Sequence, residues 1–477
     1  MRCGSALLLW LLLCLPVSQA IDLPDMGDTS ESVLSLAEEN RLGAAFMRNL
    51  RGALSIVNDP EVESYINALG ERLTSHSGSQ QRFTFFVIND TAINAFAGPG
   101  GYIGINSGLI MTTETESELA SVVAHEISHV TQRHLARAFE SAKQSSLPTA
   151  AAIIAAIILA SQDSQLGSAA IATALASSTQ SRLNFTRHNE QEADRLGMAL
   201  LASSDFDPQG MPTFFERLYR NNRGSESQSI EFLRTHPLSL SRVSDTRNRA
   251  EQYPVPAKRD QTNYLLIRTK LQVLSDGDGE KSIIHFKQQL ENGSAQQQNI
   301  ARYGYALSLA KTGKHDQAMK QMQTLMALDP DRIVYQIAAA NIAYSAGDLE
   351  HAAMICEEKL KIYPHHHAFS SLYSAILIKQ KKSTKASALL YEHLRRRPAN
   401  PRLYQLLAQA EYLNNNQSAS HEALAEYYYL TGLTHNGIEQ LVIALDLLKE
   451  TKPSTTARIK FRKEQMEEEV EEQKKNH

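Results

Sequence analysis

Apolar residues recur at intervals of three and four through LSIVNDPEVESYINALGERL (54–73), within a stretch over 31–75 that reads as helical. RFTFFVIND (82–90) is aromatic and β-branched, which predicts a strand. In NAFAGPGGYIGINSGLI (94–110) Pro99-Gly100-Gly101 marks a turn between two short strands, and the segment offers a sheet edge. Thr113 to Arg137 is expected to be one helix, with Thr113 as its cap and Glu114, Glu116 and Glu118 near its positive end. Two alanine-rich apolar runs follow between 147 and 178. Each is shorter than the roughly 18–20 residues a bilayer span requires. They read as a buried helical hairpin, or as a surface that touches membrane or covers a site.

Beyond residue 260 the pattern becomes periodic. Pro330, Pro364 and Pro398 are spaced by one interval, and Ala318, Ala352 and Ala386 repeat with the same spacing. That interval, about 34 residues, is the tetratricopeptide period: two antiparallel helices per unit, a small residue where they cross, proline at the exit. Segments 262–296 and 402–450 read as divergent units flanking the array. Cys356 falls on a core position, and the charged tail KFRKEQMEEEVEEQKKNH reads as a solvated helix end or a disordered segment. The expected division is 1–20, 21–258, 259–450 and a charged tail over 451–477, in a chain that is mainly α with a small sheet in its N-terminal part.

Composition changes the picture only at the start. The 477 residues are 42% apolar and 21% charged, with a formal charge of −4, too small to argue for or against a polyanionic partner. One positive charge at Arg2, an apolar run from Ala6 to Leu15, Pro16, and small residues at Ser18 and Ala20 read as a secretory signal over 1–20. Removal of Cys3 and Cys14 with it leaves a single cysteine and no internal disulfide. This fits a bacterial periplasmic enzyme.

The chemistry lies in VVAHEISHV (122–130). His125 and His129 are i and i+4, about 40° apart on one helix face, so both can reach one zinc ion. Glu126, about 100° away, lies beside such a metal, where it can take a proton from bound water. An ordinary helix with two core histidines is the competing reading. A histidine six residues after the second would complete one common ligand set, but position 135 is leucine. A downstream acid is then expected. Helix RHNEQEADRLGMALL (187–201) carries Glu190 and Asp194 on one face, with Ala193 and Gly197 small enough for close approach to the first helix. Glu190 is assigned as the third ligand. Asp194 would hydrogen-bond a ligand histidine or act on the departing group. Asn94 and Ala95, on the sheet edge, are the candidate contacts for an extended substrate added as another strand.

HEISH followed by EQEAD resembles the zinc peptidases related to the CAAX-prenyl endopeptidase, and NAFA, PGGYIG and NSGLI occur in the same order. Within them the chain is most similar to the periplasmic branch that joins such a domain to tetratricopeptide repeats. The resemblance implies a zincin-like α+β metallopeptidase domain followed by an α-solenoid. It implies one Zn2+ per chain held by His125, His129 and Glu190, Glu126 as base and Asp194 as proton donor. It also implies a loop histidine, His236, able to occupy the open metal position and keep the peptidase off. The partners it implies are outer-membrane β-barrel proteins and their assembly machinery, including the lipopolysaccharide-transport barrel. A repeat-based assembly adaptor with a mostly latent metal site is the alternative.

Overall fold

The computed structural model describes residues 34–144, 179–223, 231–257, 259–448 and 453–475. The expected signal over 1–20 and the apolar runs of 147–178 lie outside the described residues. The N-terminal half opens with α1 (Leu36–Ala53) and α2 (Pro60–Thr74), then β1 (Thr84–Ile88), β2 (Ala95–Ala97) and β3 (Tyr102–Asn106). Sheet order is β1-β3-β2. β3 runs parallel to β1, pairing Thr84 with Tyr102, and antiparallel to β2, pairing Ala95 with Ile105. The Pro99–Gly101 turn has Gly100 and Gly101 at φ 71° and 75°, a region that favours glycine.

Alternation along the strands builds two apolar layers. Phe85, Val87, Ile103 and Ile105 face the main core with α2 and the following helices. Phe86, Ile88, Phe96 and Tyr102 face α1 through Phe46 and Leu50. After β3 come α3 (Ser107–Thr112), α4 (Glu116–Thr131), α5 (His134–Gln144), α6 (Thr179–Ser203), α7 (Gly210–Arg223), α8 (Glu231–Thr235) and α9 (Leu240–Ala250). α4 is the central element, packed against α2, α6, α7 and β2, with Leu119, Val123, Ala124 and Ile127 fully buried.

The single helix expected over Thr113–Arg137 is therefore two. α4 starts after Thr115, whose hydroxyl accepts from the Glu118 N–H; Thr113 instead closes α3 through its N–H to the Leu109 carbonyl. At the other end Arg133 turns left-handed (φ 52°) and α5 begins at His134. At this turn Arg133 donates to the distant Leu34 carbonyl and Arg137 to that of Gln132.

From Thr262 the chain forms twelve consecutive helices among the described residues. α10 (Thr262–Ser275) and α11 (Gly279–Glu291) both pack on α12 (Ala295–Lys311), and the rest form pairs: α12 with α13 (His315–Leu328), α14 (Ile333–Ala346) with α15 (Leu349–Ile362), α16 (His367–Lys379) with α17 (Ser383–Arg396), α18 (Pro401–Leu413) with α19 (Gln417–Leu430), and α20 (Thr434–Leu448) with α21 (Pro453–Lys475). Ala318, Ala352, Ala386 and Cys356 are fully buried, as the repeat pattern expects. The charged tail is not simply solvated: in α21 Ile459, Met466 and Val470 are buried, and Arg458 and Arg462 pair with Glu422 and Glu426 of α19. α10 is shared between the halves. Tyr264, Ile267 and Leu271 belong to the N-terminal core and Leu266 to the core of the repeats.

Candidate metal centre

α4 delivers His125, Glu126 and His129; His125 and Glu126 are fully buried among apolar neighbours, and the His129 side chain is 14% exposed. α6 crosses close to it because residues 193 and 197 are small. A Cβ on Gly197 would stand 3.1 Å from the His125 amide nitrogen. The crossing brings Glu190 under both histidines. His125 Nε2 and His129 Nε2 are 3.0 Å apart and each lies 3.4 Å from a Glu190 oxygen. The residue after α8, His236, completes the group, with Nδ1 3.1 Å from Glu190 Oε1 and 3.3 Å from His125 Nε2. One donor atom from each of His125, His129, Glu190 and His236 lies within 4.8 Å of all the others. Three imidazoles and one carboxylate, converging at this spacing in a buried position, form a donor set suited to a divalent metal ion such as zinc.

Glu126 stands beside the cluster. Its Oε1 has no hydrogen-bond partner and lies 3.4 Å from His236 Nε2. Burial raises its pKa above the ordinary carboxylate value, against the pull of His236 and His125. His236 thus bears on two groups at once, Nδ1 toward Glu190 and Nε2 toward Glu126.

Asp194 approaches His125 from behind, Oδ1 to Nδ1 at 3.0 Å. Arg242 of α9, not singled out by sequence reasoning, grips Asp194 with Nε at 2.7 Å and Nη2 at 2.8 Å. Its Nη1 reaches Glu190 at 2.9 Å and the Pro237 carbonyl at 2.8 Å. Burial alone would raise the Asp194 carboxyl, but Arg242 and His125 together reverse this and hold it below its ordinary value. Burial likewise disfavours charge on His125, yet Asp194 and Glu190 push it up to about 10, while burial takes His129 down to about 3. The only signal for Arg242 in the sequence is its place six residues after His236.

β2 is the sheet edge beside this centre. Asn94 is bonded inward, its carbonyl taken by the Asn106 N–H, and its neighbour Ile93 accepts from Phe232 of α8. Antiparallel alternation then turns the main chain of Ala95 and Ala97 outward. Of the two expected contacts, Ala95 keeps an outward-facing main chain while its side chain is buried; Ala97, whose N–H supports Glu126, joins it. His365 and His366, in the repeat region, are not part of the cluster.

Residues 59–250 match the model of peptidase family M48, and residues 343–410 that of a tetratricopeptide repeat. The chain is 38% identical over 429 residues to the beta-barrel assembly-enhancing protease of Escherichia coli K12, covering 90% of this chain and 88% of that one. It is 35% identical over 441 residues to the putative beta-barrel assembly-enhancing protease of Vibrio cholerae, covering 91% of each. Against the metalloprotease LoiP of E. coli K12 it is 30% identical over 184 residues, 38% of this chain and 67% of that one.

Proposed function

This chain belongs to peptidase family M48 as a metalloendopeptidase joined to tetratricopeptide repeats, and from that premise we propose that it is a periplasmic zinc endopeptidase and chaperone. It would promote the assembly of outer-membrane β-barrel proteins and degrade those that misfold, so maintaining the outer membrane. The names of its relatives and the repeat array support this substrate class, and the leader-like run Ala6–Leu15 supports export. The barrel-assembly machinery, including the lipopolysaccharide-transport barrel, is the partner the repeats would dock. The observation that carries the enzymatic reading is the convergence of His125, His129, Glu190 and His236 with Glu126 alongside.

His125, His129 and Glu190 would hold the zinc. A zinc ion bound there supplies a polarised water that ionises near neutral pH. The outward main chain of Ala95, next to the Ala97 N–H that Glu126 takes, would receive an extended substrate as an added strand, which selects for unfolded chains rather than for one side chain. Glu126 would take the proton of the attacking water and return it to the departing amide nitrogen. Asp194 is engaged on both oxygens by Arg242 and faces His125 Nδ1, which supports fixing of the ligand tautomer rather than proton donation. His236 would have to leave before substrate enters, because its ring lies against both Glu190 and Glu126.

That position of His236 also favours a second reading, an assembly adaptor whose metal site is mostly latent. Glu126→Gln separates the two. The variant should keep one zinc per chain by elemental assay and cleave an unfolded barrel substrate roughly 10²–10⁴ times more slowly. It should also fail to clear stalled barrels in a strain lacking the protein. Full restoration of envelope integrity by Glu126→Gln would establish the adaptor reading instead.

A further inference from the structure

His129 has a support of its own, built by the break between α4 and α5. On an unbroken helix a residue five positions on lies about 140° around the axis and cannot face its predecessor. The left-handed turn at Arg133 folds α5 back, and His134 Nδ1 comes to 2.7 Å from His129 Nδ1. The other ring nitrogen, His134 Nε2, is 3.1 Å from Glu192 Oε2, and Arg137 Nη2 is 2.9 Å from the same oxygen. His134 is buried, and Glu192 is on α6 between Glu190 and Asp194.

The proton order of this chain follows from chemistry. If His129 offers the Nε2 lone pair to a metal, its Nδ1 must carry the hydrogen. That N–H can donate only to a bare Nδ1 on His134, which puts the His134 hydrogen on Nε2. There it donates to a carboxylate, the one partner in reach that accepts and never donates when ionised. Arg137 donates to the same Glu192 oxygen and holds the carboxylate in place. The arrangement matches the other ligand: His125 is backed by Asp194 and Arg242, and His129 by His134, Glu192 and Arg137. One α6 segment, Glu190 to Asp194, thus supplies a metal donor and the carboxylate behind each of two imidazoles.

We propose that His134, Glu192 and Arg137 are positioning residues of the metal centre, fixing the Nδ1–H tautomer and the ring plane of His129 so that Nε2 is presented to the metal. The proposal rests on the reading that this centre binds zinc. The competing account is a plain clasp between α5 and α6.

The test is a zinc titration of the full chain against a chromophoric chelator, paired with the visible spectrum of the cobalt-substituted protein. His134→Leu removes the acceptor, and zinc affinity should fall roughly 10–100-fold with a changed cobalt spectrum. His134→Gln, whose amide can accept from His129 and donate to Glu192, should restore affinity to within a few-fold. Glu192→Ala removes a partly exposed group with no metal contact. It should weaken zinc several-fold and carries the test if His134→Leu does not fold. Wild-type affinity and spectrum in both His134→Leu and Glu192→Ala would overturn the proposal. So would a His134→Gln variant as weak as His134→Leu, since a clasp needs no proton order. Failure of the wild-type chain to bind zinc in the same titration would overturn the zinc reading itself.

Discussion

Arg242 is the cation on which the acidic side of the centre depends. Two carboxylates, Asp194 and Glu190, are buried within reach of its guanidinium. Removing it leaves them without that partner, and breaking a buried pair in this way costs about 3–5 kcal/mol. Arg242→Met should therefore lose that much stability in urea denaturation of the metal-free protein. Arg242→Lys should recover little, because a point charge cannot hold both Asp194 oxygens and reach Glu190 as well. The contrast between Arg242 and the other site residues shows what the sequence makes legible. His125 with His129, and Glu190 with Asp194, are readable because i,i+4 spacing puts each pair on one helix face, and Glu126 because it follows His125 directly. Arg242, His236 and His134 arrive through a loop or a left-handed turn, whose course no local periodicity encodes.

Between elements, the site depends on how closely α6 lies on α4. Ala193 is fully buried at that crossing and Gly197 leaves no room for a side chain without displacement. Gly197→Val should push the helices apart at a cost of about 1–3 kcal/mol. It should weaken zinc binding and proteolysis together while far-ultraviolet circular dichroism stays unchanged. The helices and strands themselves follow from their apolar periods. The break at Gln132 and Arg133 does not, since both are good helix formers, and the Arg133 side chain there reaches the distant Leu34 carbonyl. The same holds for α21: its composition reads as a solvated run, and only the partners of Ile459 and Met466 reveal a packed face.

Across the whole molecule the repeats return to the peptidase half at several points. Glu63 of α2 receives Arg397, Asn400 and His367; Arg48 of α1 pairs with Glu469 of α21; Arg51 donates to the Ala399 carbonyl. His393 of α17 is buried against His367, and burial, with the nearby His367 and Arg397 charges, takes it down to about 4. Below its ordinary value near 6.5 the unfolded chain binds a proton that the folded one refuses. The stability this group contributes is therefore complete above pH 6.5 and is lost as pH falls toward 4. Thermal midpoints measured from pH 7 to 4.5 should fall more steeply for the wild type than for His393→Gln.

α10 lends Tyr264, Ile267 and Leu271 to one core and Leu266 to the other, and Lys270 holds Asp59 and Glu61 at the head of α2. Each half therefore lacks part of its own wall when the other is absent. Heating should melt enzyme and scaffold in one calorimetric peak, and a fragment stopping at residue 258 should behave as an incomplete, sticky body until it is extended through Ser275.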